Sequence, residues 1–175
     1  MPPPLDPLSR LVAHEEIRQL ATAYAVALDS RDLDWLVSLF VPDVRVGRET
    51  GRDALRNSFA SQLGGLGMTV LNVGTHYIDV VDADHATGRV YCKAEVQDGG
   101  RLVHQAVHYG DTYERRDGRW LFVRRVHELF YGADVGTNPI GLRPANWPEH
   151  IDGMGTVPGR WDTWQAFHTD RPQRG

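Results

Sequence analysis

Apolar positions along the chain change from a helical period to an extended one near residue 68. Through residues 17–28 they recur three and four positions apart, which is the spacing of one buried helix face. Similar spacing predicts three helices in all, over about residues 10–28, 33–40 and 54–63. Pro42 follows the second helix and Gly64 the third, and both residue types are common where helices end.

Beyond residue 68, apolar and polar positions alternate, as they do along strands with one buried face. This alternation predicts four long strands, over about residues 70–81, 86–97, 102–115 and 119–131, after a short strand at 44–46. Glycine-containing turns at residues 98–100 and 116–118 join the last three strands as hairpins. Three helices followed by such a meander are typical of an α+β fold.

The predicted fold is a cone-shaped α+β barrel, in which three N-terminal helices pack on a strongly curved, mostly antiparallel β-sheet. The apolar stripe of the first helix would fill the curve of the sheet, and a cone with an apolar floor is a typical small-ligand site. The domain is predicted to span residues 10–132, after an irregular arm over residues 1–9 that contains four prolines. Residues 133–175 are rich in Gly, Pro and Trp and predict a C-terminal tail that packs over the domain or a partner subunit.

Composition narrows the class of protein. The chain has 175 residues, 41% of them hydrophobic, which fits one globular domain. The formal net charge is −4 and the basic residues form no stripe, so we expect no nucleic-acid partner. No signal peptide and no apolar run of about 18 residues is visible, which predicts no membrane partner and a cytoplasmic location. One cysteine, Cys92, excludes an internal disulfide and fits a reducing compartment.

Asp29 ends the apolar face of the first helix and is the first candidate for chemistry. Ser30-Arg31-Asp32 follows as a turn before the second helix. Aspartate is a preferred residue at helix N-termini, so Asp29 either caps the second helix or places a carboxylate in the pocket. The helical pattern alone leaves both possibilities open.

Three motifs carry a resemblance to a known family. They are I-x-x-L-x-x-x-Y-x-x-A-L-D-x-x-D-x-x-x-L-x-x-L-F-x-x-D over residues 17–43, V-V-D-A-D-H-A-T-G over 80–88 and Y-x-D-x-Y-E-R-R-D-G-R-W over 109–120. Their order and spacing resemble the SnoaL-like, scytalone-dehydratase-like branch of the nuclear transport factor 2-like superfamily. The resemblance covers about residues 10–131 and implies the cone fold. It implies less about activity, because this fold hosts dehydratases, isomerases, dehydrochlorinases, cyclases and binding modules.

The resemblance also implies a catalytic pair. Scytalone dehydratase and hexachlorocyclohexane dehydrochlorinase use an aspartate that ends the first helix and a histidine on the first long strand. Asp29 matches that aspartate. In such a pair the carboxylate fixes the imidazole tautomer and stabilises the imidazolium, so the histidine can take a proton at neutral pH.

The histidine position departs from the family pattern. The best alignment, through Gly74 and Thr75, places Asn72 at the family histidine and His76 four residues later. Residues 72 and 76 would point to the same face of a regular strand, although a one-residue bulge would change this. Three interpretations remain: His76 pairs with Asp29 in a shifted register, another histidine serves, or no catalytic pair exists. In the first, Asp29 and His76 are the catalytic residues.

Further candidates line the predicted cone. The substrate-binding candidates are Tyr24, Asn72, Val107, Tyr109, His127 and Tyr131. Tyr24 lies on the first helix stripe, where its hydroxyl either orients a substrate oxygen or belongs to the core. By resemblance, Val107 and Tyr109 fall at pocket-lining positions of the family, which implies that Tyr109 faces inward. Alternation puts Arg125, His127 and Tyr131 on one face of the last strand. Of the adjacent Arg124 and Arg125, one is expected to pair with a carboxylate such as Asp111 and the other to meet solvent.

The outer face of the sheet is predicted to carry His104 and His108 together with aromatic residues, among them Tyr91, Trp120 and Phe122. So many apolar groups on one face predict a homodimer or a higher homo-oligomer.

Metal and nucleotide sites are disfavoured. Eight histidines are present, but no His-Glu-x-x-His motif and no cysteine cluster accompanies them. The glycines at residues 64–67 do not follow a strand, and no Lys-Ser/Thr comes after them, so they do not form a phosphate loop. Cys92 lies in an apolar row and is interpreted as a packed thiol. We therefore expect no cofactor.

Two functions from different classes fit these residues. The first is a small cofactor-independent dehydratase or isomerase that uses Asp–His acid–base chemistry on a hydrophobic cyclic oxygenated molecule of polyketide, steroid or terpenoid type. The second is a non-catalytic domain of the same fold that binds a hydrophobic small molecule or dimerises. Asn72 at the family histidine position favours the second, and Asp29 favours the first.

Overall fold

Helices and strands follow the predicted order in a computed structural model, which describes residues 5–136, 142–144, 156 and 159–169. The elements are α1 (Pro7–Asp29), α2 (Leu33–Ser38), β1 (Arg45–Val46), β2 (Glu49–Thr50), α3 (Arg52–Leu63), β3 (Thr69–Val80), β4 (His85–Asp98), β5 (Arg101–Arg116), β6 (Arg119–Asp134) and α4 (Asp162–Thr169). The predicted α+β class, with helices packed on a curved antiparallel sheet, is confirmed. None of the helices described for this chain has the length and hydropathy needed to cross a bilayer.

The first helix begins within residues 1–9, the stretch that was predicted to be an irregular proline-rich arm. The side chain of Asp6 accepts hydrogen bonds from the backbone N–H groups of Leu8 (3.0 Å) and Ser9 (3.1 Å). Pro7 occupies the first helical turn, where its missing N–H removes no helical hydrogen bond. An aspartate followed by proline therefore starts α1 at Pro7, inside the stretch expected to be irregular.

The sheet is an antiparallel meander in the order β3-β4-β5-β6, with β3 and β6 at its edges. Register shifts interrupt β3 between Val73 and His76 and interrupt the β5–β6 pairing at two places, near Val107 and near Tyr113. Each shift is a bulge, which inserts an extra residue and bends the strand. Beyond each bulge, the side chains that face the core change from one parity of residue number to the other.

The core lies between α1 and the inner face of the sheet. Ile17, Tyr24 and Leu28 of α1 belong to the same buried cluster as Val90 of β4 and Phe122 of β6. The segment after α2 continues this layer, because the backbone N–H of Val41 donates to the carbonyl of Phe122 at 2.9 Å. The helices that the structure describes thus cover one face of the sheet.

The outer face is less aromatic than predicted. Tyr91 does lie there, 47% exposed, but Trp120 (5%) and Phe122 (0%) are buried in the core. The bulge near Tyr113 explains the error, because it places Phe122 opposite inward-facing Tyr113 while Arg124 pairs with Thr112. The expected homo-oligomer stays a prediction.

Helix α4 shows where the end of the predicted tail packs. The hydroxyl of Thr163 donates to the carbonyl of Ser30 at 2.8 Å, and the ring of Trp164 lies 4.7 Å from Cζ of Arg31. This helix therefore packs on the turn between α1 and α2 of its own chain. Trp147, another tryptophan of the predicted tail, lies outside the described residues.

Candidate active site

Four polar side chains form a hydrogen-bonded chain across the inner face of the sheet. Nε2 of His76 on β3 lies 3.1 Å from the hydroxyl of Tyr113 on β5. That hydroxyl donates to Oδ2 of Asp111 at 2.7 Å. Arg125 on β6 donates to both oxygens of Asp111, from Nε at 2.9 Å and from Nη2 at 2.7 Å. We call these four residues the His76–Arg125 chain.

The ion pair at one end of this chain is almost completely buried. The side chains of Arg125 and Asp111 are 3% and 0% exposed. Cζ of Arg125 lies 4.3–4.4 Å from the ring centres of Tyr24, Tyr109 and Phe122, within cation–π range. Desolvation lowers the pKa of Arg125, but the hydrogen bonds and charge of Asp111 outweigh it and leave that pKa raised. Nη1 of Arg125 has no hydrogen-bond partner within the part of the chain that the structure describes.

At the other end, His76 is partly buried between β5 and α1. Desolvation is the largest cause that lowers its pKa, to about 4. The charge of Asp111 raises this pKa, whereas Arg125 on β6 and Arg18 and His14 on α1 lower it. His76 is therefore a neutral imidazole at neutral pH, able to accept a proton but not to supply one.

Gly88 on β4 makes the link between Tyr113 and His76 possible. A Cβ atom added to Gly88 would lie 2.9 Å from both Cε2 and the hydroxyl of Tyr113. The Tyr113 side chain is fully buried, so it cannot move away at low cost. The missing side chain at Gly88 lets the ring of Tyr113 cross β4 and reach the edge strand.

Replacing Gly88 by alanine is expected to lower the free energy of unfolding by about 1–3 kcal/mol, the usual cost of overpacking a core. Urea denaturation would measure it. Gly110→Ala is the matched control on the neighbouring strand, because its added Cβ would meet only Cε1 of His108, at 3.8 Å. Equal stability of the two variants would contradict the close approach.

Asp29 belongs to a separate cluster at the end of α1. Its Oδ1 accepts a hydrogen bond from the hydroxyl of Thr69 and its Oδ2 from the backbone N–H of Leu71, both at 2.8 Å. Nη1 of Arg31 donates to the same Thr69 hydroxyl at 2.8 Å and to the carbonyl of Leu28 at 2.7 Å. Burial is the largest influence on Asp29 and raises its pKa, against the lowering effect of these hydrogen bonds.

The cap interpretation of Asp29 is wrong. The N-cap of α2 is Asp32, whose side chain accepts a hydrogen bond from the backbone N–H of Trp35 at 2.9 Å. Asp29 instead directs both oxygens at β3. Among the described residues no hydrogen bond joins Asp29 to His76, and their hydrogen-bond partners are those named above. The catalytic roles of Asp29 and His76 stay predictions.

Asn72 faces away from this site, contrary to the prediction. The bulge between Val73 and His76 puts Leu71, Val73 and His76 on the inner face and leaves Asn72 exposed on the outer one, opposite Lys93. There Asn72 lines an open cleft of about 400 Å³ together with Lys93 and other residues. A one-residue insertion therefore separates Asn72 from His76, which a regular strand would keep together.

The other predicted binding residues divide between the two faces. Tyr24, Val107 and Tyr109 are buried on the inner side, and the rings of Tyr24 and Tyr109 meet edge-on with centres 6.0 Å apart. Burial raises the pKa of Tyr24 to about 12, so its hydroxyl keeps its proton. His127 lies against Tyr109, with ring centres 5.5 Å apart, and this desolvation lowers its pKa.

Tyr131 lies on the outer face rather than beside His127. Its hydroxyl accepts a hydrogen bond from Nζ of Lys93 at 3.1 Å, and its Cα partner on β5 is Ala106. The bulge near Val107 causes this, because the next inward residue of β6, Leu129, pairs with Val107. The expected pairing of one arginine with Asp111 is confirmed for Arg125, and Arg124 is exposed.

Residues that sequence reasoning missed hold both clusters together. No role was predicted for Tyr113, although it alternates with Asp111 and Tyr109 on one strand face, and two polar residues at spacing two on a buried face are a usable signal. Arg31 lies in a turn sequence typical of exposed loops and is nevertheless 2% exposed. Nothing in the local sequence marks it.

Across residues 5–136 and the shorter described segments, no set of three or more His, Cys, Asp or Glu side chains is arranged to hold a metal ion. Cys92 is buried as predicted, and burial raises its pKa to about 11.

Comparison with known proteins assigns most of this chain to a family. Residues 9–126 match the family model described as SnoaL-like domain. A candidate scytalone dehydratase from Novosphingobium aromaticivorans is 24% identical with a TM-score of 0.64, over 74% of this chain and 92% of that chain. Hexachlorocyclohexane dehydrochlorinase LinA-type3 from Novosphingobium barchaimii is 23% identical with a TM-score of 0.66, over 75% and 95%.

A third solved structure has a higher identity. It is an NTF2-like protein with a cystatin-like fold from Novosphingobium aromaticivorans, 26% identical with a TM-score of 0.58, over 72% of this chain and 87% of that chain. None of the curated proteins matches the chain.

Proposed function

The chain belongs to the SnoaL-like domain family, and on that premise we propose that it is a small lyase- or isomerase-type enzyme working by acid–base chemistry. Its substrate would be a hydrophobic cyclic oxygenated molecule, of polyketide, steroid or terpenoid type. His76 would be the base, and no metal or other cofactor would take part.

The observation that carries this proposal is the His76–Arg125 chain. Burying an ion pair, a phenol and an imidazole costs more free energy than burying apolar groups of the same size. A fold that needed only a core would fill this face with apolar side chains. Polar groups with shifted pKa values on the concave side of such a fold are typical of a site that moves protons.

The reaction needs only one base. His76 would take a proton from a carbon atom next to a carbonyl group, and the electrons of the broken C–H bond would form the enolate. In a dehydration the imidazolium would return that proton to the departing hydroxyl group, so a C–O bond breaks and water leaves. In an isomerisation the same proton would return to another carbon. Neither reaction consumes an oxidant or a reductant.

Three aromatic residues would shape the substrate site. Tyr24 and Tyr109 are buried phenols whose raised pKa values keep them as hydrogen-bond donors, suited to a substrate oxygen. Burial of Tyr109, together with the charge of nearby Tyr24, is the cause of its shift. His127 stands at the exposed end of this row and would contact the outer part of a ring system.

Asp29 would act without contacting His76. Its oxygens are both occupied by donors from β3, so it would contribute a fixed negative charge at the end of α1 rather than orient the imidazole. This differs from the direct Asp–His pair expected by resemblance.

The alternative function is a non-catalytic module that binds a hydrophobic molecule. The observation that favours it is the pKa of His76, because an imidazole of pKa about 4 is a weak base in the absence of a ligand. A bound substrate that supplies negative charge would raise this pKa and restore basicity.

Turnover with a panel of cyclic β-hydroxy ketones and enones would test the proposal. We expect wild-type kcat/KM to be constant at neutral pH and to fall as the pH drops through about 4, where His76 gains a proton. His76→Asn should lower kcat/KM by about 10²-fold or more, the usual contribution of a general base.

His85→Asn is the matched control, because His85 is an exposed histidine bonded to Asp82 outside the site. If members of the panel bind saturably but none is turned over, and if they bind wild type and His76→Asn with equal affinity, the enzyme proposal would be wrong. The non-catalytic binding module would then be the function.

A further inference from the structure

We propose that Arg125, Asp111 and Tyr113 hold the neutral imidazole of His76 in the tautomer with its proton on Nε2, which leaves Nδ1 as the atom that accepts a proton. The three are positioning residues, since none needs to touch the substrate. The role of Nδ1 as the base rests on the proposed function, but the tautomer itself does not.

The first step is the charge on Asp111. Both of its oxygens accept hydrogen bonds from Arg125, and arginine stays protonated in proteins. With the carboxylate ionised, the buried pair is neutral overall, whereas a protonated Asp111 would leave the Arg125 cation buried without a counter-charge. An ionised carboxylate has no proton to give, so Asp111 can only accept from Tyr113.

The second step is the proton on Tyr113. Burial, the charge of Asp111 and the hydrogen bond to it all raise the pKa of Tyr113, so the phenol is protonated at neutral pH. A phenol has one proton, and the 2.7 Å hydrogen bond to Asp111 uses it. The Tyr113 oxygen can therefore only accept at its other neighbour, His76.

The third step fixes the tautomer. Nε2 of His76 lies 3.1 Å from the Tyr113 oxygen, and because that oxygen accepts, Nε2 must carry a proton. A neutral imidazole has a single ring proton, so Nδ1 is unprotonated. When Nδ1 gains a proton, the bond from Nε2 to Tyr113 stays as it is. The site is thus arranged for the imidazolium before the proton arrives, and no hydrogen bond has to reorganise.

The other groups near His76 do not compete for its nitrogens. The charged or titratable neighbours are His14 and Arg18 on α1, Asp111 and Tyr113 on β5 and Arg125 on β6. Tyr113 is the only one of these with a hydrogen bond to His76 in the described part of the chain. Removing the Tyr113 hydroxyl therefore removes the constraint on the tautomer.

The experiment is ¹⁵N NMR of the histidine ring nitrogens, without substrate, at pH 7.5, well above the His76 pKa of about 4. The wild type should show His76 as a single Nε2–H tautomer. Tyr113→Phe should lower the ratio of Nε2–H to Nδ1–H by about 2- to 10-fold, the effect of losing one hydrogen bond of ordinary net strength.

Tyr77→Phe is the matched control, because Tyr77 adjoins His76 on β3 but points outward and is 65% exposed. It should leave the tautomer unchanged. An Nδ1–H tautomer in the wild type, or a ratio unchanged by Tyr113→Phe, would overturn the inference. An Nε2–H tautomer without turnover on any substrate would refute the proposed function and leave the role of Tyr113 intact.

Discussion

Replacing Arg125 by methionine is expected to lower the free energy of unfolding by about 3–5 kcal/mol, because it leaves the charge of Asp111 buried without a partner. The carboxylate would lose both hydrogen bonds from the guanidinium and keep only the one from Tyr113. The rings of Tyr24, Tyr109 and Phe122 would lose the cation that they surround. Methionine keeps the apolar length of the side chain, so the change reports mainly on charge.

Chemical denaturation of two further variants makes this result specific. Arg124→Met removes the neighbouring arginine, which is exposed, and should change stability by no more than about 0.5 kcal/mol. The double variant Arg125→Met with Asp111→Leu should recover a large part of the loss, because no unpaired charge remains. If Arg125→Met and Arg124→Met were equally mild, the buried ion pair would not exist in solution.

The elements of the fold could be predicted because their signals are local. The stripe on α1 and the alternation along β4 each depend on residues a few positions apart. Hairpin turns likewise depend on single residue types, such as Gly118 at positive φ. These features do not require knowledge of what packs against them.

The face of the sheet on which each side chain lies could be predicted only as far as the first bulge in each strand. Asn72, Tyr131 and Phe122 were all assigned to the wrong face, and each lies across a register shift from the residues that were assigned correctly. A bulge inverts every assignment beyond it, because the period of a strand is two. Its position depends on how neighbouring strands pair, which no local pattern records.

The His76–Arg125 chain escaped prediction for the same reason. It joins β3, β5 and β6 and crosses β4 at Gly88, so its four members are close only after all three hairpins have formed. The resemblance to the family identified Asp29 and a histidine on β3, but it implied a direct contact between them. The geometry instead gives each its own arginine: Arg31 reaches Asp29 through Thr69, and Arg125 reaches His76 through Asp111 and Tyr113.

Arg31→Met is expected to lower the free energy of unfolding by about 2–4 kcal/mol, because hydrogen bonds from a charged donor are among the stronger ones in proteins. The guanidinium donates to the carbonyl of Leu28 at 2.7 Å and to that of Gly67 at 2.6 Å, as well as to Thr69. Arg31 has a φ of 59°, which is equally unfavourable for methionine, so backbone strain does not differ between the two proteins.

The same substitution should loosen the C-terminal helix, because Arg31 lies under the ring of Trp164. We expect faster hydrogen exchange of the backbone amides of α4 in Arg31→Met, by a larger factor than the loss of global stability produces in the central residues of β5. Arg56→Met is the control: Arg56 forms an exposed ion pair with Asp34, and such pairs contribute at most about 1 kcal/mol. If exchange in α4 rose by no more than exchange in β5, other contacts of this helix, such as the hydrogen bond of Thr163, would hold it, and the cation beneath Trp164 would not contribute.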